Sequence, residues 1–389
     1  MRVLHIADSH IGETQYSKND PKTGMNARGQ DFLDSFKASA RIAREKKADV
    51  LLIVGDLFAR VNPHPRYLYE VMTTTEKLSD RGVTSIFVSG NHETPRTVRA
   101  FNPLHLLEHI ENVHVAVRPV TFSIEQIDFV CVPSPSNFDE ISSLFEALTE
   151  EALLKARSQK KVLATHVPVS QAKLSSEQQL EFFGGENLEI RKIPSKFTYV
   201  ALGHMHMYQK LPHTSMPIYY SGSTERYTFA EEGQTKYALL VDINSDVKVQ
   251  TVPIPNRDMI TIVDADCSKM GAAKIRSLVL EAIEKEGDNL KDALVRIKLE
   301  NINSDENRKI DWTAIKQDLY ERGAFEVSLQ PRSVRVLPTP IKLAGEYIYP
   351  PSKELELYIK GMKEYDQIAE ELLRLGREVI KEAPERENQ

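Results

Sequence analysis

Cysteine is scarce: the 389 residues contain 2, Cys131 and Cys267, far apart and flanked by apolar or β-forming residues. A disulfide framework and a thiolate zinc site are thereby excluded, and buried free thiols are expected. Long apolar runs are also missing. The longest, such as residues 50–54, are strand-sized, far short of the roughly 20 residues a membrane helix needs. Glycine (17) and proline (20) are scattered rather than clustered, which excludes collagen-like, low-complexity and wholly disordered chains. There is no excess of positive charge: Lys and Arg number 50 against 56 Asp and Glu, a formal net charge of −6. Bulk basicity cannot attract nucleic acid here, so any such binding must be local. Residues 2–7 read as a strand at once, without a charged region, apolar stretch and small-residue cleavage site, so a cytoplasmic location with no membrane contact is expected.

What is present is more than one core's worth of chain, since single cores stop growing at about 250 to 300 residues. Strand-like runs at 2–7, 50–54 and 84–89 alternate with helical spacing at 30–47 (Phe32, Phe36, Ala40, Ala43) and 65–81 (Leu68, Val71, Met72, Leu78), while 12–29 is a polar loop. This pattern predicts an α/β sheet with helices outside it. The β runs at 113–117, 120–124 and 127–132 are joined too closely for crossover helices, so the sheet is expected to become mixed there. A helical stretch at 140–157 leads into strands at 161–165, 198–202, 218–220 and 237–242.

Pro253, Pro255 and Asn256 then break the chain before a second αβ unit, with strands at 259–263, 293–299 and 325–329 and helices at 269–285 and 312–321. Pro338, Pro340, Pro350 and Pro351 mark a linker. Beyond it, Leu355, Ile359, Met362, Tyr365, Ile368, Leu372, Leu375 and Val379 recur at three- and four-residue steps through a charged helical tail. The organisation read from these breaks is 1–252, 253–337 and 338–389.

Five segments place metal-type ligands directly after an apolar strand: Asp8-Ser9-His10, Gly55-Asp56-Leu57-Phe58, Gly90-Asn91-His92-Glu93, Thr165-His166-Val167 and Gly203-His204-Met205-His206. Side chains at strand ends in an α/β sheet converge on one crevice. In Asp8-Ser9-His10 and His204-Met205-His206 the ligands are two residues apart, which in extended chain puts both on one face. One such segment carries little information, but all five in this order resemble the calcineurin-like metallophosphoesterases, whose signature is D-x-H, G-D, G-N-H-D or G-N-H-E, a lone H, and G-H-x-H.

The resemblance implies an αββα sandwich with a mixed sheet and a dinuclear site. It assigns one ion to Asp8, His10, Asp56 and His206 and the other to Asp56, Asn91, His166 and His204, with Asp56 bridging. Imidazole, carboxylate and amide donors together suit Mn, Fe or Zn better than Mg or Ca. Two ions roughly 3.5 to 4 Å apart activate water and clamp a phosphate, so phosphoester hydrolysis follows. His92 would face the phosphate as the catalytic acid, oriented by Glu93; a ligand role or a structural one is the alternative. The family more often has Asp where Glu93 stands.

A narrower resemblance names the substrate class. Ile6-Ala7-Asp8-Ser9-His10-Ile11-Gly12, Val54-Gly55-Asp56-Leu57-Phe58, and Tyr220-Ser221-Gly222-Ser223-Thr224-Glu225-Arg226 followed by Phe229 and Lys236 look like the SbcD-type repair nucleases. That family implies a Mn-dependent nuclease with two Mn²⁺ ions per subunit, a 3′ to 5′ double-strand exonuclease and single-strand endonuclease acting on DNA ends and hairpins. It further implies a homodimer, a small α/β capping domain that directs DNA, nucleoid association, and a C-terminal helical segment binding an SMC-like ABC ATPase of the SbcC type. The tail's alternative is a helix packed on its own domain. Many members carry histidine directly after G-D-L-F, where this chain has Ala59 and then Arg60; His64 or Arg60 are the candidates to replace it.

Lys18, Arg28, Arg60, Arg96 and Arg99 are loop cations that could meet DNA phosphates or remain solvated. His5, His105, His109, His114 and His213 lack ligand spacing and read as core or surface residues, and Gly184-Gly185 as a turn. Two rivals remain: a phosphodiesterase or phosphatase for small substrates on the same scaffold, and a non-catalytic scaffold protein that keeps the fold for binding alone.

Overall fold

The computed structural model describes residues 1–95, 97, 100–135, 141–173, 187–212, 215–333, 351–360 and 369–382. The chain opens with β1 (Arg2–Ile6), α1 (Ala27–Glu45), β2 (Val50–Val54), α2 (Pro65–Ser79), β3 (Thr84–Val88) and β4 (Val113–Ala116), its four strands parallel in the order 1-2-3-4. β2 is buried along its whole length, as expected of the apolar run Val-Leu-Leu-Ile-Val in a sheet covered on both faces. Helix α1 begins three residues before the apolar spacing suggested, because the Asn26 side chain accepts the Arg28 and Gly29 N–H groups and caps it.

The sheet does not simply turn mixed after residue 113; the chain changes sheets. β5 (Val120–Ile124) and β6 (Ile127–Val132) form a hairpin that starts a second sheet, continued through α3 (Ile141–Leu153), β7 (Lys160–His166), β8 (Tyr199–Gly203), β9 (Gln209–Leu211) and β10 (Ile218–Tyr220) in the order 5-6-7-8-10-9. β11 (Tyr237–Ile243) and β12 (Val247–Pro253) return antiparallel to the edge of the first sheet beside β1.

Val3, Leu52, Val54 and Ile86 of the first sheet pack against Phe129, Cys131, Ala164 and Tyr199 of the second. Phe36, Ile42 and Val71 of α1 and α2 cover the first sheet's outer face, and Ile141 and Phe145 of α3 cover the second's. The architecture is therefore the αββα sandwich. His5 lies in its centre with Nδ1 3.0 Å from the Tyr199 hydroxyl, and both cysteines are buried free thiols.

Beyond it, β13 (Met259–Asp266), α4 (Ala272–Glu286), β14 (Leu294–Ile302), α5 (Ser304–Arg308), α6 (Trp312–Glu321) and β15 (Glu326–Ser333) build a parallel three-stranded sheet. Ile275, Val279, Ile283 and Leu319 of its helices cover one face over Val263, Ile297 and Leu299. This αβ unit is fastened to the sandwich by Arg257, which meets Asp31 through two 2.7 Å hydrogen bonds and stacks 3.6 Å from the Phe325 ring centre.

Residues 335–389 form a separate unit, within which α7 (Pro351–Lys360) and α8 (Ala369–Glu382) are described. Glu356 and Arg377 join these helices at 3.7 Å, and Gly376 lies where a Cβ would meet the Leu355 side chain. The expected tail over 353–381 is thus two helices on either side of 361–368, which lie outside the described residues, as do the linker prolines 338, 340 and 350. No described helix is long and apolar enough to cross a membrane.

Candidate metal centre

All five strand-end segments come to one edge of the sandwich: β1, β2 and β3 of the first sheet deliver Asp8 and His10, Asp56, and Asn91 with His92, while β7 and β8 of the second deliver His166, His204 and His206. Asp8, His10, Asp56 and His204 have positive φ (52°, 42°, 47° and 97°), the left-handed region that non-glycine residues rarely occupy. Such strain persists only where surrounding structure holds it, and it clusters at functional sites. The approach is so close that a Cβ at Gly90 would fall on Asp56 Oδ1 and one at Gly203 on the Val54 carbonyl.

Three sets of His and Asp side chains have ligand atoms within 4.8 Å of one another: Asp8, His10 and His206; His10, Asp56 and His92; and Asp56, His166 and His204. His166 Nε2 is 3.1 Å from Asp56 Oδ2 and 3.1 Å from Asn91 Oδ1, and Asn91 Oδ1 is 3.2 Å from His204 Nδ1. At the other end His10 Nε2 and His206 Nε2 are 3.1 Å apart, and His10 Nδ1 is buried without a hydrogen-bond partner.

These contacts fit a cation. His166 Nδ1 lies 2.9 Å from the Val54 carbonyl, which can only accept, so that nitrogen carries a proton, and Nε2, aimed at two oxygen acceptors, has either a second proton or a metal ion to share with them. His206 Nδ1 lies 3.1 Å from Glu231 Oε1, which likewise leaves the Nε2 lone pair facing another imidazole nitrogen. Donor atoms crowded together in this way in a buried site repel unless a proton or a metal ion lies among them.

The protonation pattern carries the same signature. Burial lowers the affinity of His166 for a proton, but the Asp56 and Asp8 carboxylates and the Val54 carbonyl outweigh it and raise its pKa to about 9. Burial raises Asp56, yet His166, His92 and His10 hold it well below the ordinary range. Burial raises Asp8 and takes His204 down to about 3. Opposed shifts packed this densely mark functional sites more than ordinary cores.

His92 stands apart. Its side chain is 36% exposed while that of Asp56 is 3% exposed, and its Nε2 is 3.9 Å from Asp56 Oδ2. Its Nδ1 is 2.9 Å from the carbonyl of Ala59, and its backbone N–H donates to Asp56 Oδ1 at 2.9 Å. The expected Glu93–His92 pair does not form. Glu93 is fully buried and accepts from the N–H groups of Phe58 at 2.7 Å and Gly90 at 2.9 Å, tying together the loops after β2 and β3. The main chain at Ala59, not Glu93, orients the His92 ring. Burial and the nearby Asp56 charge push the Glu93 carboxyl up to about 8.

Other expectations are also revised. His64 caps α2, its Nδ1 accepting the Arg66 N–H at 3.2 Å, which gives this exposed side chain a role at a helix end that the sequence reading did not foresee. Lys18 donates to the Phe325 carbonyl at 2.8 Å, and Arg28, with a side chain 0% exposed, pairs with Asp31 and Glu225. Arg28 is thereby withdrawn from solvent, while Lys18 stays exposed. Arg96, Arg99, His213 and Gly184-Gly185 lie outside the described residues.

Two contributors were not singled out from the sequence. Tyr227 places its ring edge-on 5.3 Å from His10, and Glu231 reaches His206 from a short 3-10 turn. Glu231 follows no strand, which hid it; the one available signal was its place between Phe229 and Lys236 in the stretch that carried the narrower resemblance.

The sequence is similar to several curated proteins. It is 29% identical to the SbcD component of the nuclease SbcCD of Bacillus subtilis over 62% of this chain and 66% of that one. It is 26% identical to the DNA double-strand break repair protein Mre11 of Archaeoglobus fulgidus over 95% of this chain and 83% of that one. With the Mre11 of Methanocaldococcus jannaschii identity is 30%, over 58% of this chain and 57% of that one. The chain thus spans somewhat less than two thirds of the first and third of these relatives. A family model for the calcineurin-like phosphoesterases matches residues 1–208, just over half of the chain and all of the strand-end ligand segments. On that match and the converging site, the chain belongs to the calcineurin-like phosphoesterase family.

Proposed function

We propose that this chain is a metal-dependent DNA nuclease of double-strand-break repair, hydrolysing phosphodiesters with two Mn²⁺ ions per subunit. The observation that carries the reading is the convergence of seven donor side chains from two sheets beside one part-exposed histidine. In this reading Asp8, His10, Asp56 and His206 hold one ion, and Asp56, Asn91, His166 and His204 the other. Divalent ions held so supply Lewis acidity toward the phosphate and acidify water. A mixed nitrogen and oxygen donor set favours manganese over magnesium.

The protein's own groups do the rest. The His92 N–H fixes the Asp56 carboxylate, and Glu93 holds the loops carrying Asp56 and Asn91 at a set separation. His92, with Nδ1 on the Ala59 carbonyl, turns Nε2 to the open side, where it protonates the leaving oxygen or bonds a phosphoryl oxygen. The finer activity is 3′ to 5′ on duplex ends, with endonuclease action on single strands and hairpins. Residues 1–252 form the nuclease domain and 253–337 the capping domain. The tail, 338–389, docks on the coiled coil of an SMC-like ABC ATPase of the SbcC type, and two chains pair as a homodimer at the nucleoid.

The deciding experiment incubates end-labelled duplex DNA with the purified chain in Mn²⁺, Mg²⁺ or EDTA, alongside the His92→Asn variant. Shortening that needs Mn²⁺ and disappears in the variant is expected. Hydrolysis of bis-p-nitrophenyl phosphate with intact DNA would move the function to small substrates.

A further inference from the structure

We propose that Glu231 is the positioning residue of His206, fixing the imidazole so that Nε2 is its free ligand atom. The proposal rests on the reading above in one respect, that His206 holds a metal ion. Glu231 and Lys236 both have side chains only 2% exposed, and they pair at 2.7 Å. Glu231 divides its two oxygens: Oε1 is 3.1 Å from His206 Nδ1, while Oε2 accepts the Tyr227 N–H at 2.9 Å and faces Lys236. Lys236 Nζ in turn donates to the His206 carbonyl at 3.0 Å. The carboxylate therefore holds the ring of His206 while its counter-ion holds the backbone of the same residue.

A buried ion pair is poor evidence of stabilisation, since desolvation offsets most of its attraction and an apolar pair of the same volume would pack as well. What an apolar pair could not do is accept a proton from Nδ1. A carboxylate behind a metal-binding imidazole fixes tautomer and ring tilt and makes the opposite nitrogen a better donor. The other three ligand-type histidines are held differently at Nδ1: that of His166 faces a backbone carbonyl, that of His204 faces Asn91, and that of His10 is unpartnered.

The test is a manganese titration of the full chain, reading the stoichiometry and affinity of each ion by calorimetry and by the electron paramagnetic resonance of free Mn²⁺. Wild type, Glu231→Gln, and the double variant Glu231→Gln with Lys236→Met are compared; the double variant leaves no unpaired buried charge if the single one fails to fold. One ion is expected to bind as in wild type and the other about 10- to 100-fold more weakly. Both ions bound at wild-type affinity in either folded variant overturns the proposal. A spectroscopic arm needs no variant of Glu231: in the zinc-loaded wild type, long-range proton–nitrogen spectra are expected to show the His206 proton on Nδ1, and a proton on Nε2 overturns it. His206→Ala separates the two readings. If that variant binds both ions unchanged, the assignment of His206 as a ligand fails and takes Glu231 with it; if it loses one ion while the Glu231 variants lose none, Glu231 alone fails.

Discussion

The two ends of the candidate centre orient their imidazoles by different means. His166, at the end of β7, is fully buried and has its Nδ1 held by the backbone carbonyl of Val54, the last residue of β2 in the opposite sheet. His206 has a side chain 14% exposed and its Nδ1 held by the Glu231 carboxylate, which sits on a short 3-10 turn and is paired with Lys236. The first geometry is a property of the sandwich itself: as long as the two sheets pack, the ring is aimed, and no side-chain substitution at the acceptor can undo it. The second is local. The next residue, Glu232, accepts the Thr261 N–H at 2.6 Å and pairs with Arg296, whose guanidinium lies 4.5 Å from the Phe229 ring centre. The segment that orients His206 is thus also held by β13 and β14 of the αβ unit, which makes this end the one open to adjustment from outside.

Asp56 belongs to both ends and gives the largest expected effect. Asp56→Ala should abolish binding of both ions and reduce DNA cleavage to background, measured by metal content after gel filtration and by the end-labelled DNA assay. Retention of one ion at full affinity would show that the ends are independent sites rather than halves of one centre. His92 belongs to neither end. His92→Asn is expected to keep both ions and DNA binding while lowering cleavage by about 100- to 10,000-fold, the usual contribution of a general acid. Loss of the ions with it would make His92 a ligand, in keeping with its place in one of the three ligand clusters.

How much of this could be read from sequence follows from the same contrast. The His166 end was legible because its parts come from strand ends, where an apolar run followed by Gly-Asp, Asn-His or Thr-His announces a side chain at a sheet edge. The same runs pointed to one α/β sheet with outer helices, and the two-sheet sandwich came only from the family resemblance; the step from β4 to β5 read as mixing within one sheet when it is a change of sheet. Edge strands β9 and β12 were missed, since Gln-Lys-Leu and Val-Lys-Val-Gln alternate with polar residues that face outward. The His206 end was half legible: Gly-His-x-His gave the ligand, but its support crosses 25 residues with no periodic signal. Arg28 shows the limit most plainly. Its loop-like neighbours suggested a cation that meets DNA phosphate or remains solvated, whereas Asn26 starts a helix there and Arg28 is buried against Glu225, 197 residues away. Long-range ion pairs leave no local pattern.

A smaller effect sharpens the comparison by acting on one end from a distance. Arg296→Ala removes the outer partner of Glu232 and the cation above Phe229 without touching a ligand. The ion at the His206 end is expected to bind more weakly, by no more than about 10-fold, the lower bound for loss of a direct outer partner, with the His166 end unchanged. Equal weakening at both ends in the manganese titration would mean that the αβ unit acts through the sandwich as a whole, and the loop would lose its special standing.

The last effect is on stability alone and concerns a carboxylate remote from the centre but built like Glu231, held by fixed donors in a buried place. Asp128 is fully buried and accepts from the Ser123 hydroxyl at 2.7 Å, the Ser158 hydroxyl at 2.9 Å and the N–H groups of Ser158 and Arg157 at 2.6 and 2.5 Å. Burial pulls this carboxyl up, but the hydrogen bonds from Ser123, Ser158 and Arg157 outweigh it and leave it below its ordinary 3.8. A carboxyl depressed by folding contributes stability that is fully present above the unfolded value and is lost as pH falls through the folded one. In metal-free protein, Asp128→Asn should therefore lower stability by about 1 to 3 kcal/mol at neutral pH, because the amide turns a donor toward donors. The gap to wild type should close as pH drops below about 4, since the unfolded carboxyl titrates near 3.9. Denaturant melts at pH 7 and pH 3 measure it. A gap that stays constant would mean that Asp128 acts by shape alone, and that fixed donors around a buried carboxylate do not by themselves set its charge. The carboxylate behind His206 would then owe its ionisation to Lys236 rather than to the Tyr227 N–H and the imidazole, and the adjustable end of the centre would depend on a single lysine.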